Sequence, residues 1–230
     1  MNIALILSGG TGARLGTDIP KQYLEVGKKP VITYCMETLS KHTEIDAIQI
    51  VADVSWQKSI QEWLAFSDPE KKFRGFSVPG ENRQLSILHG LEDIRSYADD
   101  GGYVFVHDAA RPLLSAAQIT DCLHGAYGHD GLMPVLPMKD TVYTSLDGKH
   151  VTALLDRSTV YAGQAPEVFR IGRYYEANQK LLPDRIRKIN GSTEPAVLDG
   201  MDIVMIPGEE GNFKITTKSD LERFRNMIES

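Results

Sequence analysis

The sequence predicts a three-layer α/β domain: one mostly parallel sheet, helices on both faces, and a β-hairpin arm projecting from it. Three observations carry this. Short apolar, partly β-branched runs alternate with segments of helical period, the pattern of successive strand–helix crossovers. No internal repeat or low-complexity tract interrupts the alternation. Late in the chain, two strand-like runs flank an Asp-Gly turn, the signal of a hairpin rather than a crossover. The 230 residues suffice for one full core, so the chain reads as a single domain with the arm, residues 139–160, inserted into it.

Asn2 to Leu7 reads as a first, central strand, running into Gly9, Gly10, Gly12 and Gly16. Pro30 to Leu39 is a helix with Val31, Tyr34, Cys35 and Leu39 near one face. Ala47 to Ala52 has the pattern of a buried strand. Gln57 to Leu64 is an amphipathic helix whose apolar side takes in Trp56, Ile60, Trp63 and Leu64, with both tryptophans as packing residues. Phe73 to Val78 is a short strand, turned by Pro79-Gly80 into a helix over 86–94. Gly102 to His107 is dense in β-formers and ends in Asp108-Ala109-Ala110-Arg111-Pro112. Ser115 to Ala126 is a helix that Ser115 is placed to cap.

Leu132 to Met138 has strand composition, but Pro134 and Pro137 argue against a plain central strand. Thr141–Ser145 and His150–Leu154 then flank Leu146-Asp147-Gly148-Lys149 as the arm. A two-stranded hairpin lacks burial of its own, and a second copy of the chain would supply it. Ile171 to Leu182 is a helix. Residues 190–202 form a polar connection around a short helix in which Ala196, Val197 and Leu198 can pack. Ile203 to Ile206 is a last strand, and Lys218 to Ile228 a closing helix with Thr217 or Ser219 as cap.

The formal net charge of −6 gives no basic footprint for nucleic acid. A local basic pocket in an acidic chain suits a small phosphorylated substrate instead. No apolar run reaches the roughly 18 residues of a membrane span, and MNIALILSGG lacks the basic start of a signal peptide. Cys35 and Cys122 have neither metal nor redox spacing and read as buried thiols of a cytoplasmic protein.

The chemistry gathers where strands end. Glycines after a strand leave backbone N–H groups uncovered, and Arg14 and Lys21 add full positive charge, which together make a place for phosphate. It is not a Walker A loop, because Gly16 is followed by Thr17 and Lys21 by no Ser or Thr. It is not a dinucleotide fingerprint, because Leu15 stands where a glycine is needed, and this speaks against an oxidoreductase. Arg83, at the start of a helix, is oddly placed for the helix dipole unless it faces an anion or simply lies in solvent. Asp108 follows a central strand, where it can serve as a metal ligand, a ribose contact or a cap. The six histidines show no metal or triad spacing, and Ser8 is in no nucleophile elbow. A cluster dominated by cations suits nucleotidyl transfer, in which a phosphate already ionised attacks the α-phosphorus of a nucleoside triphosphate.

At these residues the chain resembles the cytidylyltransferases that activate small polyol phosphates with CTP, of the methylerythritol-phosphate and ribitol-phosphate types. The carrying segments span the chain: SGGTGARLGTDIPKQYL (8–24), PGENRQLSILHGL (79–91), VHDAARP (106–112), KDTV (139–142), LDR (155–157), GQAPEVF (163–169) and NFKITTKSDL (212–221). The resemblance implies a Rossmann-like nucleotidyltransferase fold. Ser8, Gly9, Gly10, Thr11 and Gly12 would wrap the cytosine and triphosphate, with Arg83, Ser86 and Asp108 helping to hold the nucleotide. Arg14, Lys21 and Lys214 would act on the phosphates as catalytic cations. Asp108 would also sit close to Mg²⁺ and the acceptor. Thr141 and Arg157 would bind the acceptor phosphate, Arg157 being delivered by the arm of the partner subunit in a homodimer.

Three departures from the methylerythritol pattern lie on the acceptor side. Tyr143 stands where a lysine is usual. Gln164-Ala165-Pro166-Glu167 replaces Gln-Thr-Pro-Gln, and Ser192-Thr193-Glu194-Pro195 replaces Thr-Asp-Glu-Ala. HDAARP and Arg83-Gln84 favour the methylerythritol acceptor, whereas YAGQAP and KITTKSDL lean towards ribitol. The methylerythritol reading is preferred, with ribitol 5-phosphate as the alternative.

Overall fold

The computed structural model describes residues 1–10 and 19–229. In chain order the strands and helices are β1 (Asn2–Leu7), β2 (Glu25–Val26), β3 (Lys29–Pro30), α1 (Val31–Lys41), β4 (Ala47–Val51), α2 (Val54–Ser67), β5 (Phe73–Ser77), α3 (Arg83–Ile94), β6 (Tyr103–Asp108) and α4 (Ala116–Ala126). They continue with β7 (Gly131–Pro137), β8 (Val142–Thr144), β9 (Ala153–Leu155), β10 (Tyr161–Gly163), β11 (Glu167–Arg170), α5 (Ile171–Gln179), α6 (Glu194–Leu198), β12 (Ile203–Pro207) and α7 (Lys218–Glu229).

Among the described residues the main sheet has eight strands. β5, β4, β1 and β6 run parallel, β11 and β10 run against them in line with each other, and β7 and β12 return to the first direction. The period of two in each strand assigns its residues to two cores. Ile3, Leu5, Val104 and Val106 face α3 and α5. Ala4, Ile6, Tyr103 and Phe105 face α1, α2 and α4. The same alternation turns Asp108 towards α3 and the neighbouring His107 towards the opposite layer. Trp56 and Trp63 pack against the second core around Tyr23, as expected of packing residues.

β7 corrects the reading of its prolines. It is an inner strand, with β12 on one edge and β10 and β11 on the other. Pro134 lies where β10 gives way to β11, so the ladder is already broken at Gln164–Pro166. The Pro134 carbonyl still accepts the Gln164 N–H at 2.8 Å. Pro137 ends the strand. β11 itself was not anticipated: four residues give too short an alternation to read, yet it joins β6 to β7.

Helix starts follow side-chain caps. Asn82 accepts from Leu85 N–H at 2.8 Å, so α3 begins at Arg83 itself. Ser115 accepts from Gln118 N–H, and Thr217 from Asp220 N–H. β8 and β9 form a separate ribbon in which Tyr143 opposes Leu154. Leu146, Val151 and Leu154 on this arm are largely exposed. Among the described residues no helix is long and apolar enough to cross a membrane.

Candidate active site

A cavity of about 540 Å³ opens at the ends of β1 and β6, where a parallel neighbour gives way to an antiparallel one. One wall is the turn after β1. Gln22 donates its side-chain N–H to the carbonyls of Ser8 (2.7 Å) and Gly10 (2.8 Å), which pins that turn. Ser8 and Tyr23 exchange hydrogen bonds below it. Gly9 passes so close to Pro79 that a Cβ would lie 2.7 Å from the proline side chain. Lys21 begins the short helical turn that carries Gln22 and lines the cavity.

The opposite wall is the Pro79–Ser86 turn. Ser86 lines the cavity, but its hydroxyl is engaged within the turn, accepting from Gly80 N–H and donating to the Asn82 carbonyl. Arg83 is the oddly placed cation at the head of α3, and the anions it faces are the protein's own. Its guanidinium lies 3.2 Å from Asp108 and 3.7 Å from Glu167, and it hydrogen-bonds Ser192. Glu167 also accepts from the Thr193 hydroxyl at 2.9 Å.

Asp108 is the hub. Besides Arg83, one carboxylate oxygen takes Arg111 at 3.3 Å and Lys214 at 3.1 Å. Burial would raise its pKa, but Arg83, Lys214 and Arg111 outweigh it and hold the carboxyl far below the usual range. Glu167 is moved the other way: burial dominates, and Arg83 only partly offsets it. Lys214 reaches the site from a segment stitched to the turn after β6, where Ile215 N–H donates to the Ala110 carbonyl and Arg111 to that of Asn212.

The structure thus brings Gly9, Gly10, Lys21, Arg83, Ser86, Asp108 and Lys214 to one cavity, with Ser8 just behind it. Thr11, Gly12 and Arg14 lie outside the described residues. Thr141 and Arg157 do not reach the cavity within one chain; they sit on the exposed arm, where Arg157 donates to the Lys139 carbonyl. Sequence reasoning gave no part to Gln22, Asn82 or Glu167. The cap signature at Asn82 was readable, whereas Gln22 and Glu167 acquire their roles only through contacts with distant segments.

Among the described residues no three His, Cys, Asp or Glu side chains converge as a metal cage. The donor set fits an ion borne by substrate phosphates: Mg²⁺ keeps several waters and needs only one or two carboxylates beside the phosphates. The carboxylates lining the cavity are Asp108 and Glu81, and Asp108 would have to share with such an ion the oxygens that Arg83, Arg111 and Lys214 now hold.

His107, next to Asp108, is fully buried and donates from Nε2 to the Arg111 carbonyl at 2.9 Å, while Nδ1 has no partner among the described residues. Burial pushes its pKa down to about 4, against the smaller pull of the Arg111 carbonyl and Asp108. The unfolded chain therefore binds a proton near pH 6.5 that the folded one refuses until about pH 4. Its stability contribution is complete above pH 6.5 and is lost as pH falls through that window, at about 1.4 kcal/mol per unit. His107→Leu is expected to flatten the dependence of Tm on pH between 6.5 and 4; an unchanged slope would rule this out.

Comparison with known proteins gives one answer at the level of family. The model of the IspD family, 2-C-methyl-D-erythritol 4-phosphate cytidylyltransferase, matches residues 2–230. A ribitol-5-phosphate cytidylyltransferase of Streptococcus pneumoniae serotype 2 is 30% identical over 233 residues, covering 100% of this chain and 99% of that protein. The bifunctional enzyme IspD/IspF of Granulibacter bethesdensis is 33% identical over 227 residues, covering 98% of this chain but 56% of its own length. The fold matches that of a 4-diphosphocytidyl-2C-methyl-D-erythritol synthase from Anaerococcus prevotii, with a TM-score of 0.84 at 24% identity over 100% of this chain and 96% of the other. It also matches the Francisella tularensis 2-C-methyl-D-erythritol 4-phosphate cytidylyltransferase, with a TM-score of 0.82 at 24% identity and 99% coverage of both chains.

Proposed function

The chain belongs to the IspD family of cytidylyltransferases, and from that premise we propose that it transfers CMP from CTP to 2-C-methyl-D-erythritol 4-phosphate in a cytoplasmic homodimer. The supporting observation is the convergence of Lys21, Arg83 and Lys214 on a cavity walled by the Gly9–Gly10 turn and edged by Asp108. An acceptor phosphate oxygen attacks the α-phosphorus of CTP. As that P–O bond forms, the bond to the β-phosphate bridging oxygen breaks, and pyrophosphate carries off the electron pair. Charge builds on the non-bridging and leaving oxygens, where fixed cations act most strongly in a site shielded from water. Lys21 and Lys214, with Arg14 of the same first loop, take that part. Asp108 orients the cations and would help hold Mg²⁺, which when bound neutralises triphosphate charge. On this reading Thr141 and the partner subunit's Arg157 hold the acceptor phosphate, for which the guanidinium fork is suited.

Ribitol 5-phosphate is the second reading, favoured by the polar cluster of Glu167, Ser192 and Thr193 beside Arg83. These residues replace the methylerythritol pattern on the acceptor side, and the buried Ala165 offers none of the hydroxyl of a threonine there. Pyrophosphate release from CTP with each acceptor in turn decides between them. Methylerythritol phosphate is expected to give the larger kcat/KM; faster turnover with ribitol phosphate would transfer the assignment, and turnover with neither would reject both acceptors.

A further inference from the structure

Lys214 sits in neither helix nor strand but in the segment joining β12 to α7. A lysine is a point charge on a flexible stem, so its aim depends on how firmly its backbone is held. The fastening is a set of three buried neutral amides, Gln118, Gln164 and Asn212, each no more than 5% exposed. Gln164 is the centre of the set. Its Oε1 accepts from Glu209 N–H at 3.0 Å, and its Nε2 donates to the carbonyls of Glu209 at 2.8 Å and Asn212 at 3.3 Å. One side chain therefore does for Glu209 what a neighbouring strand would do, satisfying both backbone groups.

The fit leaves no slack. A Cβ on Gly208 would lie 2.8 Å from Gln164 Oε1. Gln118 donates to that same oxygen at 3.2 Å and accepts from Asn212 Nδ2 at 2.8 Å, while Asn212 Nδ2 also reaches the Ala165 carbonyl. Gln164 is anchored in turn by its own N–H on the Pro134 carbonyl. Buried amides cost stability unless their bonds are made, and here, Asn212 Oδ1 apart, those bonds converge on the Lys214 segment from α4 and from the break between β10 and β11.

We propose that Gln164 is a positioning residue that aims Lys214 into the nucleotide cavity by fastening residues 209–212 to the break between β10 and β11. It rests on the reading of Lys214 as a triphosphate contact. It adds that the aim of this lysine is set by an uncharged residue outside the cavity lining. Gln164→Met keeps the volume and removes every side-chain hydrogen bond, leaving the backbone bond to Pro134. It is expected to lower kcat/KM for CTP by about tenfold or more, the scale of one weakened charge-assisted contact. It should also speed hydrogen exchange at the Glu209 and Ile215 amides. In a Lys214→Ala background the same substitution should cost less than about twofold, because the contact it supports is already gone.

Equal costs in the two backgrounds, or unchanged exchange, would overturn the proposal and leave Gln164 a stabilising residue only. Gly208→Ala, which retains all three amides and displaces Gln164 by its Cβ, should reproduce the pattern if Gln164→Met does not fold; a fully active Gly208→Ala with unchanged exchange would also overturn it. Unchanged turnover of Lys214→Ala alone would reject the reading of Lys214, and the exchange data would then decide the fastening by itself.

Discussion

Lys21→Ala is expected to lower kcat by about 10²- to 10³-fold, the usual cost of deleting one preorganised group that meets transition-state charge. Affinity for CTP should change far less, because the ground-state triphosphate keeps Lys214 and the backbone of the Gly9–Gly10 turn. The scaffold should survive. Gln22 and Tyr23 supply side chains that bind Ser8 and Gly10. The check is a pair of measurements: steady-state turnover, and CTP binding by calorimetry with a melting curve alongside. Unchanged turnover would remove Lys21 from the reaction, and equal losses in binding and turnover would mark it as a ground-state contact.

Replacing residues 144–153 with an Asn-Gly turn is expected to convert a dimer to a monomer and to abolish measurable cytidylyl transfer. The excision spares the sheet, since Tyr143 and Leu154 already face each other across the ribbon and a two-residue turn can join them. It removes Leu146 and Val151, which are 93% and 68% exposed. The loss of activity follows if Arg157 works in the partner's cavity, as proposed above; among the described residues of its own chain its guanidinium donates to the Lys139 carbonyl on the exposed arm. Sedimentation with a parallel assay tests both halves. An active monomer would refute the arm as a shared element. Arg157→Ala should keep the dimer and lose turnover with the acceptor phosphate, which separates delivery of the residue from assembly.

The parts of the fold that could be read in advance are those whose signal is local. β1, β4 and β6 are mostly apolar runs, broken by Gln49 in β4 and ended by His107-Asp108 in β6, with helices after them, the composition favoured in strands buried on both faces. Caps at Ser115 and Thr217 and the Asp-Gly arm are equally local. β7 was misjudged because the cost of its prolines depends on what lies opposite them, and opposite Pro134 the partner strand is interrupted. In the site, Asp108 was legible as a charge at a strand end, the glycine turn and Lys21 as glycines and a cation after a strand, and Lys214 only through the family resemblance. Arg83 was read as facing either a bound anion or solvent, whereas the anions beside it are Asp108 and Glu167. Glu167 carried no such mark. Its carboxylate becomes a partner of Arg83 only because β11 runs against β6, a pairing that no spacing within the sequence encodes.

That pairing has a mechanical consequence. Asp108 ends β6 two residues beyond Val106, the residue that pairs with Glu167 at the start of β11, so the backbone of one sheet holds the two carboxylates. Their separation can change only if the ladder slips, and a slip of one residue, about 3.3 Å, would turn one side chain to the far face of the sheet. The negative charges are therefore stationary. The positive ones are mounted on a helix terminus, at Arg83, and on a tethered connection, at Lys214. On the function proposed above, Arg83 and Lys214 are then the side chains that would exchange these fixed carboxylates for the oxygens of a phosphate.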